Sequence, residues 1–163
     1  MVMKAVELKE AGKSIKEIEE WLTEHQKNFC VQFTVDDLFH LQRGGRVSKM
    51  TAIVGSMINI KPILIINDEG KLIPAGTVRG RKKSLSTVVA NMIKQMGAYI
   101  NNPGTICVVH GDAIEDAERV VKLIKEEVEG ASIIVNVISP SIGAHSGPGA
   151  IGICFIGEGK ANL

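Results

Sequence analysis

The sequence has few aromatic residues and almost no net charge. Aromatic residues make up 4% of the 163 residues, so no row of stacking side chains for single-stranded nucleic acid is visible. Nineteen basic and 18 acidic residues leave a net charge of +1. General attraction to nucleic acid or to an anionic membrane is therefore not expected, and any function that depends on charge must be local.

Cysteine is also scarce. Cys30, Cys107 and Cys154 are far apart, and neither a CxxC pair nor a Cys/His ligand spacing occurs. Each cysteine lies in an apolar run, which predicts buried thiols and a reducing, cytoplasmic location. The sequence predicts no metal site and no cofactor.

Long apolar runs are missing as well. No segment approaches the roughly 20 apolar residues of a membrane-spanning helix, and the first residues carry charges too early for a signal peptide. We therefore expect no stable membrane insertion. Hydrophobic residues make up 45% of the chain, which is enough for one core. We predict a single domain over residues 1–163, with 1–27 as a helical lead-in.

Capping and periodicity predict the helices. Ser14 and Glu17 form a capping-box pattern, and Gly12 is placed to end the helix before it. The predicted helices cover residues 1–11, a second helix from Ser14, a short helix capped by Asp36, one starting at Ser48, and the stretches 84–100 and 113–128.

Short apolar runs predict the strands. Residues 60–66 and 71–78 flank the turn Asn67–Gly70 and should form a hairpin. The other predicted strands are 29–35, 105–110, 131–138 and a last strand that follows the glycine-rich stretch 143–152. The fold class is therefore α/β with two layers: a mixed or largely antiparallel sheet packed with helices. The stretch 105–138 is either a parallel crossover or part of a mixed sheet.

Two glycine motifs resemble nucleotide-binding loops but lack their context. Gly147–Gly152 matches GxGxxG, but a strand should precede that motif and a helix should follow it. Here a strand is predicted to follow, so we interpret the segment as a tight turn beside a ligand or another backbone. Gly12–Ser14 resembles the end of a phosphate-binding loop, and a helix-to-helix turn explains it.

Of the four histidines, His145 is the candidate for function. His25 and His40 are predicted on helix surfaces, and His110 is predicted to have a structural role at the end of a strand. His145 is predicted in a loop of small residues that a ligand could approach, and its imidazole can donate a hydrogen bond to a carboxylate. A structural role remains the alternative. Neither a Ser-His-Asp set nor a pair of histidines at metal spacing is present.

Two basic segments are further candidates. On spacing alone, Arg43–Arg46 is best explained as a glycine-terminated helix with solvated arginines. Arg79–Lys83 precedes a predicted helix, where cations oppose the helix dipole and would welcome an anion. A solvated loop is the alternative.

Three segments together resemble the DegV family. They are FTVDDLFHLQRGGRVSK (33–49), INIKPILIINDEGKLIPAGTVRGRKK (58–83) and IGAHSGPGAIGICFIG (142–157), and their order and separations also match. The resemblance implies a carrier, not an enzyme, that binds a long-chain fatty acid between two lobes. It also implies a fatty acid kinase as the partner that converts the bound acid to an acyl phosphate.

The resemblance also implies roles for individual residues. It assigns His145 to binding of the fatty-acid carboxylate and Arg46 to the network around it. The basic segment would face the kinase, which points to Arg79 and Arg81. The threonine and serine that the family uses for the head group belong to an N-terminal lobe without counterpart here. We therefore expect an incomplete fatty-acid site, and a homodimer through the exposed lobe face.

Two other classes of function remain open. One is an interaction or regulatory domain of the same fold that binds no lipid. The other is an enzyme that uses His145 as acid or base, which is the weakest hypothesis because no nucleophile, second base or metal ligand is visible beside it.

Overall fold

A six-stranded sheet organises the molecule. The structure, a computed structural model, describes residues 1–45 and 59–159. The strands are β1 (Phe29–Thr34), β2 (Ile60–Ile66), β3 (Leu72–Arg79), β4 (Thr105–His110), β5 (Ser132–Val137) and β6 (Ile151–Ile156). They lie side by side in the order β3-β2-β1-β6-β4-β5.

Six α-helices accompany the sheet in the described part of the chain. They are α1 (Val2–Glu10), α2 (Ile15–Glu24), α3 (Leu38–Arg43), α4 (Arg81–Met96), α5 (Ile114–Glu127) and α6 (Pro140–Ser146). The Ser14–Glu17 capping box that begins α2 is formed as predicted.

The sheet is mixed. Every neighbouring pair is antiparallel except β4 and β5, which run parallel and are joined through α5. Both alternatives for 105–138 therefore hold, because a parallel crossover is built into a mixed sheet. The predicted fold class is confirmed.

The hairpin of β2 and β3 is formed where the sequence predicts it. The Asn67 side chain accepts hydrogen bonds from the backbone N–H groups of Glu69 and Lys71. Gly70 takes a positive φ of 74° at the turn, a conformation that costs glycine little. Local turn chemistry thus sets the register next to the turn, and the register shifts by one residue between Ile63 and Leu64.

Helices α4 and α5 cover one face of the sheet and enclose the main core. Leu85, Val88 and Met92 of α4 are fully buried there against strand residues such as Ile106 and Ile153. One buried polar pair interrupts this apolar layer: the Gln32 side chain donates to the Gln95 side chain at 3.0 Å.

Helix α3 packs on one end of the opposite face, which we call the second face. Leu41 of α3 and Leu64 of β2 are buried together, with Phe33 and Leu72 packed against them. Neither α1 nor α2 has a fully buried residue.

Three local predictions were wrong. The short helix is capped by Asp37, whose side chain accepts from the Phe39 N–H at 2.8 Å, and not by Asp36. Helix α4 begins at Arg81 and not at Ser84, so its basic residues form the first turn. The third difference is α6, in a segment predicted as loop. The helix predicted from Ser48 lies outside the described residues.

The helices of the described ranges are short. The longest, α4, has 16 residues. None of them combines the length and the apolar character that crossing a bilayer requires.

Candidate functional site

His145 lies in the last turn of a helix, not in a loop. Helix α6 begins with Pro140 in its first turn and ends at Gly147, whose φ is 76°. Proline is favoured in the first turn of a helix and glycine just beyond its end, so both ends have local signals. The imidazole of His145 is partly exposed at the end of this short helix.

His40 of α3 holds α6 in place. Its Nε2 atom lies 3.0 Å from the Ala144 carbonyl oxygen. Gly147 packs directly on the ring, since a β-carbon there would lie 2.7 Å from His40 Cγ. Sequence reasoning placed His40 on a helix surface and missed this contact, because the partners are 104 residues apart.

Gly44 brings the glycine-arginine segment against His145. A β-carbon on Gly44 would lie 3.1 Å from His145 Nδ1 and 3.4 Å from its Cα. We call this set of residues the α3–α6 junction: His40, Gly44, Ala144, His145 and Gly147. Arg46, the predicted partner of His145, lies outside the described residues, two positions beyond Gly44.

Arg81 fixes the segment that follows α6. Its Nε donates to Asp116 Oδ2 at 2.7 Å and its Nη2 donates to the Gly149 carbonyl at 2.6 Å. The side chain is only 19% exposed, and within the described residues its Nη1 is buried without a hydrogen-bond partner. This placement does not suit the partner-facing role expected of Arg81.

Asp36 and Lys61 form an ion pair beside the segment that follows α6. Lys61 is 8% exposed, and its Nζ donates to the Asp36 carboxylate at 2.6 Å and to the Asp36 carbonyl at 2.7 Å. Gly149 packs on Asp36, because a β-carbon there would lie 2.5 Å from Asp36 Cβ. The segment after α6 is thus held by close backbone approach, as expected for its glycines.

Other basic residues of the predicted cluster are exposed. Arg79 at the end of β3, and Lys82 and Lys83 in the first turn of α4, all face solvent. Three cations therefore form an exposed group where β3 meets α4.

An apolar groove lies on the second face, at the end away from α3. Its volume is about 340 Å³, within the range of small-molecule pockets. The N-terminal turn of α1 forms one wall, and strands β1, β4 and β6 form the floor. The groove-lining residues used below are Met1, Val2, Met3, Phe29, Val31, Thr105, Cys107, Cys154 and Ile156.

Apolar residues continue from the groove toward α3. Gly152 lies between them, since a β-carbon there would be 3.0 Å from Val109 Cγ2 and 3.7 Å from Phe33 Cβ. Beyond Phe33 the face reaches the buried cluster under α3. A six-residue strand spans about 20 Å, so the second face offers an apolar strip of that order.

Two other predictions about motifs are resolved. A helix precedes Gly147–Gly152 and a strand follows, so the dinucleotide-binding context is absent. His110 Nδ1 accepts from the Ala113 N–H at 3.2 Å beside the start of α5, which agrees with the predicted structural role. Within residues 1–45 and 59–159, no group of three or more His, Cys, Asp or Glu side chains is placed to hold a metal ion.

Comparison with known proteins decides the family. A family model for DegV, described as a family of uncharacterised proteins, matches residues 1–158. The chain belongs to the DegV family. A DegV domain-containing protein of Clostridium perfringens is 40% identical over 161 residues, which cover 98% of this chain and 54% of that relative. The chain spans about half the length of the curated relatives it matches.

Solved DegV structures share the fold. The crystal structure of DegV from Bacillus subtilis, described as a fatty acid binding protein, is 31% identical with a TM-score of 0.74, covering 95% of this chain and 54% of that one. A DegV lipid binding protein from Thermotoga maritima is 26% identical with a TM-score of 0.80, covering 98% and 54%.

Proposed function

We propose that this DegV chain is one lobe of a fatty-acid carrier. The carboxylate binds at the α3–α6 junction, and the acyl chain lies along the second face toward the apolar groove. The observation that carries the proposal is the apolar strip of the second face, which joins a groove at one end to a partly exposed histidine region at the other. The names of the Bacillus subtilis and Thermotoga maritima relatives support it.

The groove supplies the affinity in this proposal. Burial of a methylene group contributes roughly 0.8 kcal/mol, so a long acyl chain gains far more from enclosure than from any single polar contact. Val31, Cys154 and Ile156 form a surface without charge on the floor of the groove. Lys4 and Glu7 of α1 also line the groove, and they form an ion pair with each other at 3.0 Å.

The α3–α6 junction supplies orientation. His145 can donate a hydrogen bond to a carboxylate, and it lies beside Gly44, from which the chain continues to Arg46. Arg46 follows Gly44 by two positions in the sequence, and its guanidinium group can pair with a carboxylate. We therefore propose Arg46 as the second group that binds the carboxylate, in agreement with the family resemblance.

In this proposal, one lobe supplies only part of the site. The chain spans about half of its relatives, and an open groove buries only part of an acyl chain. We propose that a second lobe supplies the remaining cover and the remaining head-group contacts. Val2 and Val6 of α1 and Ile15 of α2 are exposed, and in the isolated chain these apolar side chains favour self-association.

A fatty acid kinase is the proposed partner, as the family resemblance implies. The exposed cations Arg79, Lys82 and Lys83 form the proposed kinase-facing surface. Arg81 contributes by fixing the first turn of α4 through Asp116 and not by direct contact.

A chain-length series tests the proposal. Binding of saturated fatty acids of increasing length to the purified chain is measured together with binding to two isosteric variants, Val31→Thr and Val137→Thr. Affinity should rise by up to roughly fourfold per added methylene. Val31→Thr places a hydroxyl in the groove and should weaken binding by about tenfold, because burial of a hydroxyl costs roughly 0.5–2 kcal/mol.

Val137→Thr is the control, because Val137 is 62% exposed on β5, outside the groove. It should bind like the wild type. Affinity that does not depend on acyl length, or equal loss in both variants, would overturn the proposal. It would favour a domain of the same fold that binds no lipid.

A further inference from the structure

Cys107 and Cys154 are direct neighbours across two antiparallel strands. Cys107 of β4 is paired with Cys154 of β6 in the register of the sheet. Directly opposite residues of antiparallel strands have Cα atoms about 4.5 or 5.5 Å apart, depending on the hydrogen-bonding position. Both separations lie within the roughly 4.4–6.8 Å that disulfides span. The two side chains also point to the same face.

The face in question is the floor of the apolar groove. Both cysteines line the groove and both are partly exposed. The third cysteine, Cys30, also borders the groove, but it is 1% exposed and belongs to the core cluster under α4. Strand alternation therefore separates Cys30 from the other two sulfurs, although all three residues lie on neighbouring strands.

We propose that Cys107 and Cys154 form a redox-active pair, which a hydroperoxide oxidises to a disulfide across β4 and β6. The pair is a modification site that the fatty-acid carrier proposal does not require. Its position makes the floor of the groove sensitive to oxidation.

The reaction balances as a two-electron oxidation. The Cys107 thiolate attacks one oxygen of hydrogen peroxide, the O–O bond breaks, and a sulfenic acid forms; the departing hydroxide takes up the thiol proton and leaves as water, where an organic hydroperoxide would release its alcohol. The Cys154 sulfur then displaces the sulfenic hydroxyl, so that the S–S bond forms, the S–O bond breaks and a second water leaves. Two thiols lose two electrons, and one peroxide gains them.

Electrostatics assign the order of these steps. Burial raises the pKa of the Cys154 thiol, and the nearby Cys107 sulfur raises it further. A thiol that stays protonated is a poor first nucleophile. The raised pKa of Cys154 therefore supports Cys154 as the thiol that completes the reaction.

The disulfide should be easily reduced. Opposite β-carbons in a sheet lie about 4.5–5.5 Å apart, at or beyond the roughly 3.5–4.5 Å of a relaxed disulfide. Closing the bond draws β4 and β6 together and strains the link. Strained disulfides have higher reduction potentials and behave as labile links.

Peptide mapping under non-reducing conditions tests the pair. The purified chain is treated with hydrogen peroxide, and its intact mass and linked peptides are compared before and after reduction with dithiothreitol. The expected product is a monomer that has lost two hydrogens, with Cys107 joined to Cys154. Dithiothreitol should reverse the change.

Three variants keep the test specific. Cys107→Val and Cys154→Val retain apolar volume, and each should abolish the link. Cys30→Ala should leave it intact. Links that involve Cys30, links only between different molecules, or separate oxidation of both thiols without a link would overturn the proposal.

A ligand in the groove should protect the pair. This consequence rests on the fatty-acid proposal: an acyl chain above the two sulfurs should slow disulfide formation by oxidant several-fold at saturating oleate. Bound oleate is measured in the same samples. Bound oleate without protection would contradict the groove position of the sulfurs, whereas failure to bind oleate would contradict the carrier proposal and leave the disulfide result standing.

Discussion

Gly44 and His145 lie so close that a β-carbon on the glycine would be 3.1 Å from the imidazole Nδ1. The backbone of Gly44 is helical, with φ at −70°, so the backbone itself does not require glycine. Close approach to His145 explains the residue instead. The contact joins α3 to α6 across about 100 positions of sequence and positions the imidazole.

Gly44→Ala should separate stability from ligand binding. Alanine suits the helical backbone, so the free energy of unfolding should change by less than about 1 kcal/mol. The added methyl group must displace His145 by a few tenths of an ångström, and carboxylate binding should fall severalfold. Urea unfolding and fatty-acid titration of the same variant check both values. Unchanged binding would show that the position of His145 does not matter.

Arg81→Met should destabilise the fold. The substitution leaves Asp116 and the Gly149 carbonyl without their cationic donor. We expect a loss of roughly 2 kcal/mol, less than for a fully buried pair, because the two side chains keep 19% and 30% exposure. Lys82→Met, one residue along on the exposed side, is the control in urea unfolding. Equal stability of the two variants would show that Arg81 is a surface residue, as the sequence suggested.

Local chemistry made much of the fold predictable. The Ser14–Glu17 capping box, the Asn67–Gly70 hairpin and the strand-helix-strand unit of β4, α5 and β5 each depend on neighbouring residues, and all three are present. The prediction of Asp36 as the cap of α3 was wrong because Asp36 and Asp37 are both good capping residues and local sequence does not distinguish them. Lys61, 25 residues away, binds Asp36 and leaves Asp37 to cap α3.

The candidate site was less predictable, because distant contacts build it. Helix α6 contains Gly143 and is followed by several glycines, so helix propensity favoured a loop in this segment. Its contacts with His40 and Gly44 stabilise the helix. Arg81 looked like one cation in an exposed run, and only the fold shows Asp116 beside it. The groove combines α1 with three strands, and no local pattern in the sequence indicated it.

The capping box should make α2 sensitive to acid. The Ser14 N–H, together with Lys13, lowers the pKa of Glu17 from 4.5 to about 2. A carboxyl group whose pKa is lower in the folded state stabilises the fold above its unfolded pKa, and this contribution is lost as pH falls from about 4.5 toward about 2. The protection factors of the α2 amides, which correct for the pH dependence of intrinsic exchange, should therefore fall over this window.

Glu17→Gln should remove that dependence, because the amide does not titrate. Glu20→Gln, on the same helix, is the control and should keep it. A Glu17→Gln protein whose α2 still loses protection over the same window would show that another group controls the helix.

The exposed cations should affect kinase encounter rather than lipid binding. Reversal of charge at Arg79, Lys82 and Lys83 to glutamate should slow association with a fatty acid kinase by about tenfold at low salt and less at high salt. Fatty-acid affinity should not change. Lys125→Glu is the control, because Lys125 lies on the exposed side of α5. Stopped-flow association at two salt concentrations measures the effect, and equal rates for all variants would exclude this surface.

A carboxylate site at His145 beside an apolar strip should distinguish ligands that differ only in the charged group. Oleate and oleyl alcohol share the hydrocarbon chain, and only oleate carries a charged carboxylate. Their affinities are measured for the wild type, for His145→Ala and for His25→Ala. His25 is the control because it stacks on Trp21, with ring centroids 4.0 Å apart, at the end of α2.

His145→Ala should weaken oleate by about tenfold, at the lower end of the roughly 1.5–3 kcal/mol that a hydrogen bond to a charged group contributes. The alcohol should bind both proteins equally, and His25→Ala should bind both ligands like the wild type. Equal loss of oleate and alcohol in His145→Ala would mean that the imidazole supports the fold and not the carboxylate, and the proposed site would be wrong.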